Sequence, residues 1–88
     1  MSQVIRQAII TKYLGPTNYR GSRIKAKCQA ESLTVSWDSN LGIDENHTAA
    51  ATMLAQKLGW LMVDGRKFKL VGGAMPDISG NCYVIVPA

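Results

Sequence analysis

Ser32-Leu33-Thr34-Val35-Ser36-Trp37-Asp38-Ser39-Asn40-Leu41-Gly42-Ile43-Asp44-Glu45-Asn46-His47-Thr48-Ala49-Ala50-Ala51 is where the hydrophobic period of this sequence changes. At its start Leu33, Val35 and Trp37 alternate with Ser32, Thr34 and Ser36, the pattern of a strand with one buried face over roughly 32–38. After a turn rich in Asn and Gly the spacing becomes helical. Asp44 is read as the cap of the orphan amides, and Glu45 sits where the helix dipole favours negative charge. Ala49, Ala50 and Ala51 are strong helix formers. Ala50, Met53, Leu54, Lys57 and Leu58 recur at three- and four-residue spacing and predict one apolar stripe. Gly59 is placed to stop the helix at C′, with Trp60 folding back onto the last turn.

Working outward, residues 3–14 are rich in Val, Ile, Thr and Tyr and read as a strand. Gly15-Pro16-Thr17-Asn18 is turn chemistry that runs on through Tyr19-Arg20-Gly21. A second strand is read over roughly 22–29, joined by a short Gln29-Ala30-Glu31 link to the third. Beyond the helix, Asp64-Gly65 between Leu61-Met62-Val63 and Phe68-Lys69-Leu70-Val71 resembles a two-residue hairpin turn. A Gly-rich loop over 72–80 then leads to a last strand, Cys82-Tyr83-Val84-Ile85-Val86. The expected order is β-β-β-α-β-β, or β-β-β-α-β if the 61–63 piece is too short to count. Either is an α+β fold, an antiparallel sheet of four to five strands with one helix packed on one face. Residues 1–88 form a single domain with no linker or repeat. Trp37 and Leu54 are expected in the core, with the helix on the inner face of the first three strands.

Charge is unevenly placed. The first acidic residue is Glu31, and Arg6, Lys12, Arg20, Arg23, Lys25 and Lys27 precede it. Residues 1–27 carry +6, residues 28–65 carry −4, and residues 66–88 carry +2. In the second strand Arg23, Lys25 and Lys27 fall on one face, and Ile24, Ala26 and Cys28 on the other. Like charges on one face repel, so an anionic partner explains the strip better than folding stability does. Tyr13 and Tyr19 flank the same hairpin loop, and Arg20 and Arg23 offer planar forks suited to phosphate or carboxylate. The binding residues expected from the sequence are therefore Tyr13, Tyr19, Arg20, Arg23, Lys25 and Lys27. The 72–80 loop is a further segment that could touch a partner.

Catalytic chemistry has little to stand on. The chain has one His, and His47 lacks a second His or a nearby Cys to complete a metal set. Asp38, Asp44 and Glu45 bracket a turn and suit capping. No GxSxG elbow frames a serine, and no Gly-Lys-Ser/Thr phosphate loop occurs. No catalytic residue, metal ligand or cofactor is expected. Cys28 and Cys82 form no CxxC pattern and read as free, partly buried thiols. The Asn46-His47-Thr48 sequon has no meaning without a secretory route. No apolar run is long enough to span a membrane, and the first residues lack signal-peptide features, so the expected location is the cytoplasm of a bacterial cell.

Lys12-Tyr13-Leu14-Gly15-Pro16-Thr17-Asn18, Arg20-Gly21-Ser22-Arg23-Ile24-Lys25-Ala26, His47-Thr48-Ala49-Ala50-Ala51 and Lys57-Leu58-Gly59-Trp60 together resemble small proteins encoded on bacterial phages and plasmids. The resemblance covers roughly residues 8–60 and brings no catalytic site. It implies a non-enzymatic protein of a mobile element that inhibits a host defence system, in the manner of anti-CRISPR proteins. Many of those are acidic DNA mimics, and this basic chain departs from that class. The partner implied is then a host defence effector complex, protein or ribonucleoprotein, bound through the basic hairpin. The alternative is a small accessory protein that binds nucleic acid directly with the same strand and loop. The oligomeric state is not legible.

Overall fold

The computed structural model describes residues 8–63, 65–76 and 80–88. Six strands and one helix follow in the order β1 (Ile9–Leu14), β2 (Arg23–Lys27), β3 (Ser32–Ser36), α1 (Ile43–Lys57), β4 (Met62–Val63), β5 (Arg66–Ala74) and β6 (Asn81–Pro87). The expected α+β fold is present. β3, β2, β1, β6 and β5 form an antiparallel sheet in that order, and the two-residue β4 extends it beyond β5. Helix α1 packs on one face, against β2, β1, β3 and β6.

The sheet is built from two hairpin systems joined through the middle. β1–β2–β3 is the meander read from the sequence, with Tyr13 opposite Ile24 and Ile24 opposite Val35. The β4–β5 hairpin turns at Gly65, whose φ of 77° is open to glycine; Asp64 lies outside the described residues, as does the part of the expected first strand before residue 8. β6 then returns between β5 and β1, pairing Tyr83 with Gly72 on one side and with Ile9 on the other.

The core lies between α1 and the inner sheet face. Ile9, Ile24, Ala26 and Leu54 have no exposed surface, and Ala50, Ala51 and Ala55 bring the helix close to the strands. The buried helix positions are Asn46, His47, Ala50, Ala51, Leu54 and Ala55. This corrects the expected stripe: Leu54 and Ala50 hold their places, but Met53 is exposed and Lys57 pairs with Glu31 at 2.7 Å. Trp37 is half-buried against the core, at its margin and not within it.

The helix ends are set by different residues at the two termini. The N-cap is Gly42, not Asp44, because Glu45 reaches back to accept from the Gly42 amide at 3.3 Å. Asp44 is turned toward Asn81 instead. Buried Asn46 pins the β3–α1 turn, accepting from the Asp38 amide at 2.9 Å and donating to the Asp38 and Gly42 carbonyls. At the C-terminus the expected stop is present. Gly59 takes a φ of 73°, its amide donates to the Gln56 carbonyl, and the Trp60 amide donates to the Ala55 carbonyl, which is a Schellman closure.

The expected 72–80 loop is corrected too. Gly72, Gly73 and Ala74 belong to β5 and pair with Tyr83, Cys82 and Asn81. Glycine at 72 is required by packing, because a Cβ there would overlap the Tyr83 ring. The connection shrinks to the residues after Ala74, closed by a bond from the Met75 amide to the Gly80 carbonyl; residues 77–79 lie outside the described set. At Gly80 a Cβ would overlap the Thr11 carbonyl oxygen, which is backbone of an inner strand and cannot swing away. Gly80→Ala is therefore expected to lower the unfolding free energy by about 1–3 kcal/mol in denaturant titration. Gly73→Ala, with open space around its Cβ, is the comparison expected to leave stability nearly unchanged.

Candidate functional site

Register fixes which side chains share the uncovered face of the sheet. Residues directly opposite in an antiparallel ladder point to the same side. Ile24, Ala26 and Cys28 face the helix, so Arg23, Lys25 and Lys27 face away from it, as expected from the alternation. Lys12 lies directly opposite Lys25, and Ile10 directly opposite Lys27. Like charges placed opposite each other weaken a sheet. The strip read on one strand thus continues across two.

Nothing among the described residues neutralises it. The ion pair they contain is Lys57–Glu31, and Lys12, Arg20, Arg23, Lys25 and Lys27 have no described acidic side chain within pairing distance. Next to these cations the same face carries apolar side chains. Ile10, Val84 and Val71 are 44%, 44% and 49% exposed, and Val84 pairs with Val71 across β6 and β5. The aromatic side chains of the sheet, Tyr13, Phe68 and Tyr83, fall on the helix side by the same parity. The open face is cationic and aliphatic.

The two tyrosines expected to interleave with the cations divide. Tyr19 is 95% exposed near the hairpin tip beside Arg20. Tyr13 lies on the other face from Lys12, with its hydroxyl 2.8 Å from the Ser22 hydroxyl and its ring edge-on to Trp37 at 5.1 Å. The arginines do come together. Arg20 and Arg23 line a cleft of about 590 Å³ with Ser22, Thr34, Ser36 and Trp37 at the β3 side of the sheet. Arg23 Nε is buried and has no hydrogen-bond partner among the described residues, a donor that an incoming oxyanion would satisfy.

His47 enters a buried polar cluster that sequence reasoning missed. Its Nδ1 lies 2.6 Å from the hydroxyl of the fully buried Thr11, and its ring stands edge-on to Trp37. Beside it, Asn81 donates to Asp44 Oδ1 at 3.4 Å and to the Tyr83 hydroxyl at 3.1 Å, which meets Thr48 Oγ1 at 2.8 Å. These bonds tie the first turn of α1 to β1 and β6. The only signal in the sequence was Thr11, a polar residue on the buried face of a strand. Among the described residues no three His, Cys, Asp or Glu side chains converge as a metal site requires.

Burial lowers the His47 pKa below the ordinary 6.5, with the Asp44 charge acting in the opposite direction. The unfolded chain therefore takes up the proton first as pH falls. The stability contributed by the neutral imidazole is full above pH 6.5 and declines below it, toward the lowered folded-state value. His47→Gln is expected to flatten this part of the stability profile, read as the change in denaturation midpoint between pH above and below 6.5.

No helix among the described residues is long and apolar enough to cross a membrane. No family model, curated protein or solved structure matches this chain.

Proposed function

We propose that this chain is a non-catalytic binding protein of a phage or other mobile element, which inhibits a host defence complex by docking on an acidic surface of it in the bacterial cytoplasm. The observation that carries the reading is the open sheet face, where Lys12, Arg23, Lys25 and Lys27 have no acidic partner among the described residues and stand beside Ile10, Val71 and Val84. An aliphatic centre beside a charged margin is the anatomy of a protein interface. Single-stranded nucleic acid is usually held by aromatic side chains that stack its bases, and the aromatics of this sheet are turned to the helix. The resemblance to phage and plasmid proteins supplies the defence context.

A second reading rests on Tyr19 and Arg20, an exposed ring and guanidinium at successive positions of the hairpin loop that suit direct nucleic-acid contact. Salt separates the two. Affinity for assembled defence effector complexes, for a short single strand and for a duplex is measured at two ionic strengths. Docking on a protein gives tight effector binding whose salt dependence lies mostly in the association rate. Affinity confined to the nucleic acids, falling steeply with salt and with Tyr19→Ala, would replace the first reading by the second.

A further inference from the structure

β3 ends the sheet, and no described strand pairs with its outer side. Which of its backbone groups are free follows from the bonds at either end of the β2–β3 ladder. The Trp37 amide donates to the Ser22 carbonyl at 3.0 Å, and the Cys28 amide donates to the Glu31 carbonyl at 2.9 Å. Both are hydrogen-bonded pairs of one ladder, in which bonded and non-bonded pairs alternate. Leu33 and Val35 therefore bond inward to Ala26 and Ile24. Ser32, Thr34 and Ser36 turn their amides and carbonyls outward.

Several of the usual edge protections are missing from this strand. It is five residues long, its register has no bulge, and it holds neither proline nor a charged residue. The opposite edge, β4, is two residues long. The side chains of Ser32, Thr34 and Ser36 are small and lie on the open face, directly opposite Lys27, Lys25 and Arg23. A strand added outside β3 would run two strand spacings, about 10 Å, from that cationic row. Long acidic side chains on it could meet the lysines over the short hydroxyls. Half-buried Leu33 and Val35 offer apolar surface on the other face.

We propose that the β3 edge accepts an extended segment of the partner protein as an added strand, one that alternates acidic and apolar residues. The inference rests on the acidic-protein reading above and names how that partner is held. The backbone of the segment bonds to Ser32, Thr34 and Ser36, its acids lie over Lys25, Lys27 and Arg23, and its apolar side chains continue the Leu33–Val35 row. One acid is placed to enter the Arg20–Arg23 cleft, where Arg23 Nε has no partner among the described residues. Charge decides for this occupant over a second copy of the chain, because pairing two β3 edges would leave both cationic rows without anions.

The test uses a synthetic peptide alternating glutamate and valine, with its lysine-for-glutamate counterpart as control. Amide exchange by NMR on the full chain should show new protection at Ser32, Thr34 and Ser36 with the acidic peptide alone. Thr34→Pro removes an outward donor and no bond to β2, so it should keep the melting temperature and weaken the peptide about tenfold. Ser36→Pro is the second variant of the same kind. Peptide binding that depends on Lys25 and Lys27 but ignores both prolines, with no protection at the edge, would overturn the added strand and leave the charged face standing. Equal behaviour of the two peptides, or no binding of either, would overturn the inference, and effector binding insensitive to the charges would then remove the acidic-protein reading as well. Protection of the three amides without peptide, in a species of twice the chain mass, would assign the edge to a second copy and overturn it too.

Discussion

Leu54→Ala is expected to lower the unfolding free energy by about 2–5 kcal/mol, the range for a large aliphatic side chain removed from a closed core. Leu54 has no exposed surface and belongs to the cluster with Ile9, Ile24 and Ala26. Its helix neighbours Ala50, Ala51 and Ala55 are already small, so little adjacent volume can move in to fill the gap. A domain of this size holds only about 4–13 kcal/mol in total, so the variant should be visibly unfolded at mild denaturant. Met53→Ala is the matched comparison. Met53 is 47% exposed and outside the core cluster, and its truncation should change stability far less, by about 0.5 kcal/mol. Similar losses in the two variants would mean that the helix is rotated about its axis relative to the structure.

Replacing Lys12, Arg23, Lys25 and Lys27 together by Gln is expected to have the opposite profile. Folding should be unchanged or slightly firmer, because Lys12 and Lys25 repel across the β1–β2 ladder and none of the four has an acidic partner among the described residues. Binding to the proposed acidic partner should fall about a hundredfold, if each exposed pair contributes about 0.5–1 kcal/mol. The measurement is a titration against effector complex alongside a thermal melt. Full affinity in the quadruple variant would mean that the charged face is solvated surface without a partner, and the functional reading would fall with it.

The strand alternation, the Gly59 stop and the charge asymmetry were legible because each is written in local spacing. Two hydrophobic periods, joined by a turn, imply a helix laid on a sheet, and that is the architecture found. The alternation of Arg23, Lys25 and Lys27 with Ile24 and Ala26 likewise places the cations on the outer face by local spacing alone. What spacing could not supply was the rotation of the helix. The buried set Asn46, His47, Ala50, Ala51, Leu54 and Ala55 keeps the same helical spacing as the expected stripe but is turned by about 40°. Alanine fits either face, and His47 reads as polar until Thr11 supplies its partner.

The candidate site divides along the same line. Its cationic half is local and was read directly. Its limits are not local: Lys12 joins it through cross-strand register, Tyr13 leaves it through strand parity, and Ile10, Val71 and Val84 meet only because β6 inserts between β1 and β5. The exposed edge depends on sheet order in the same way, since nothing within Ser32–Ser36 says that this strand is last. Sequence by itself determined the order of the elements and the charge each one carries, but not the extension of β5 through Gly72–Ala74, which its pairing with β6 supplies. Tertiary structure decided which faces meet and which stay open, because sheet order and helix rotation follow from packing between residues far apart in the chain.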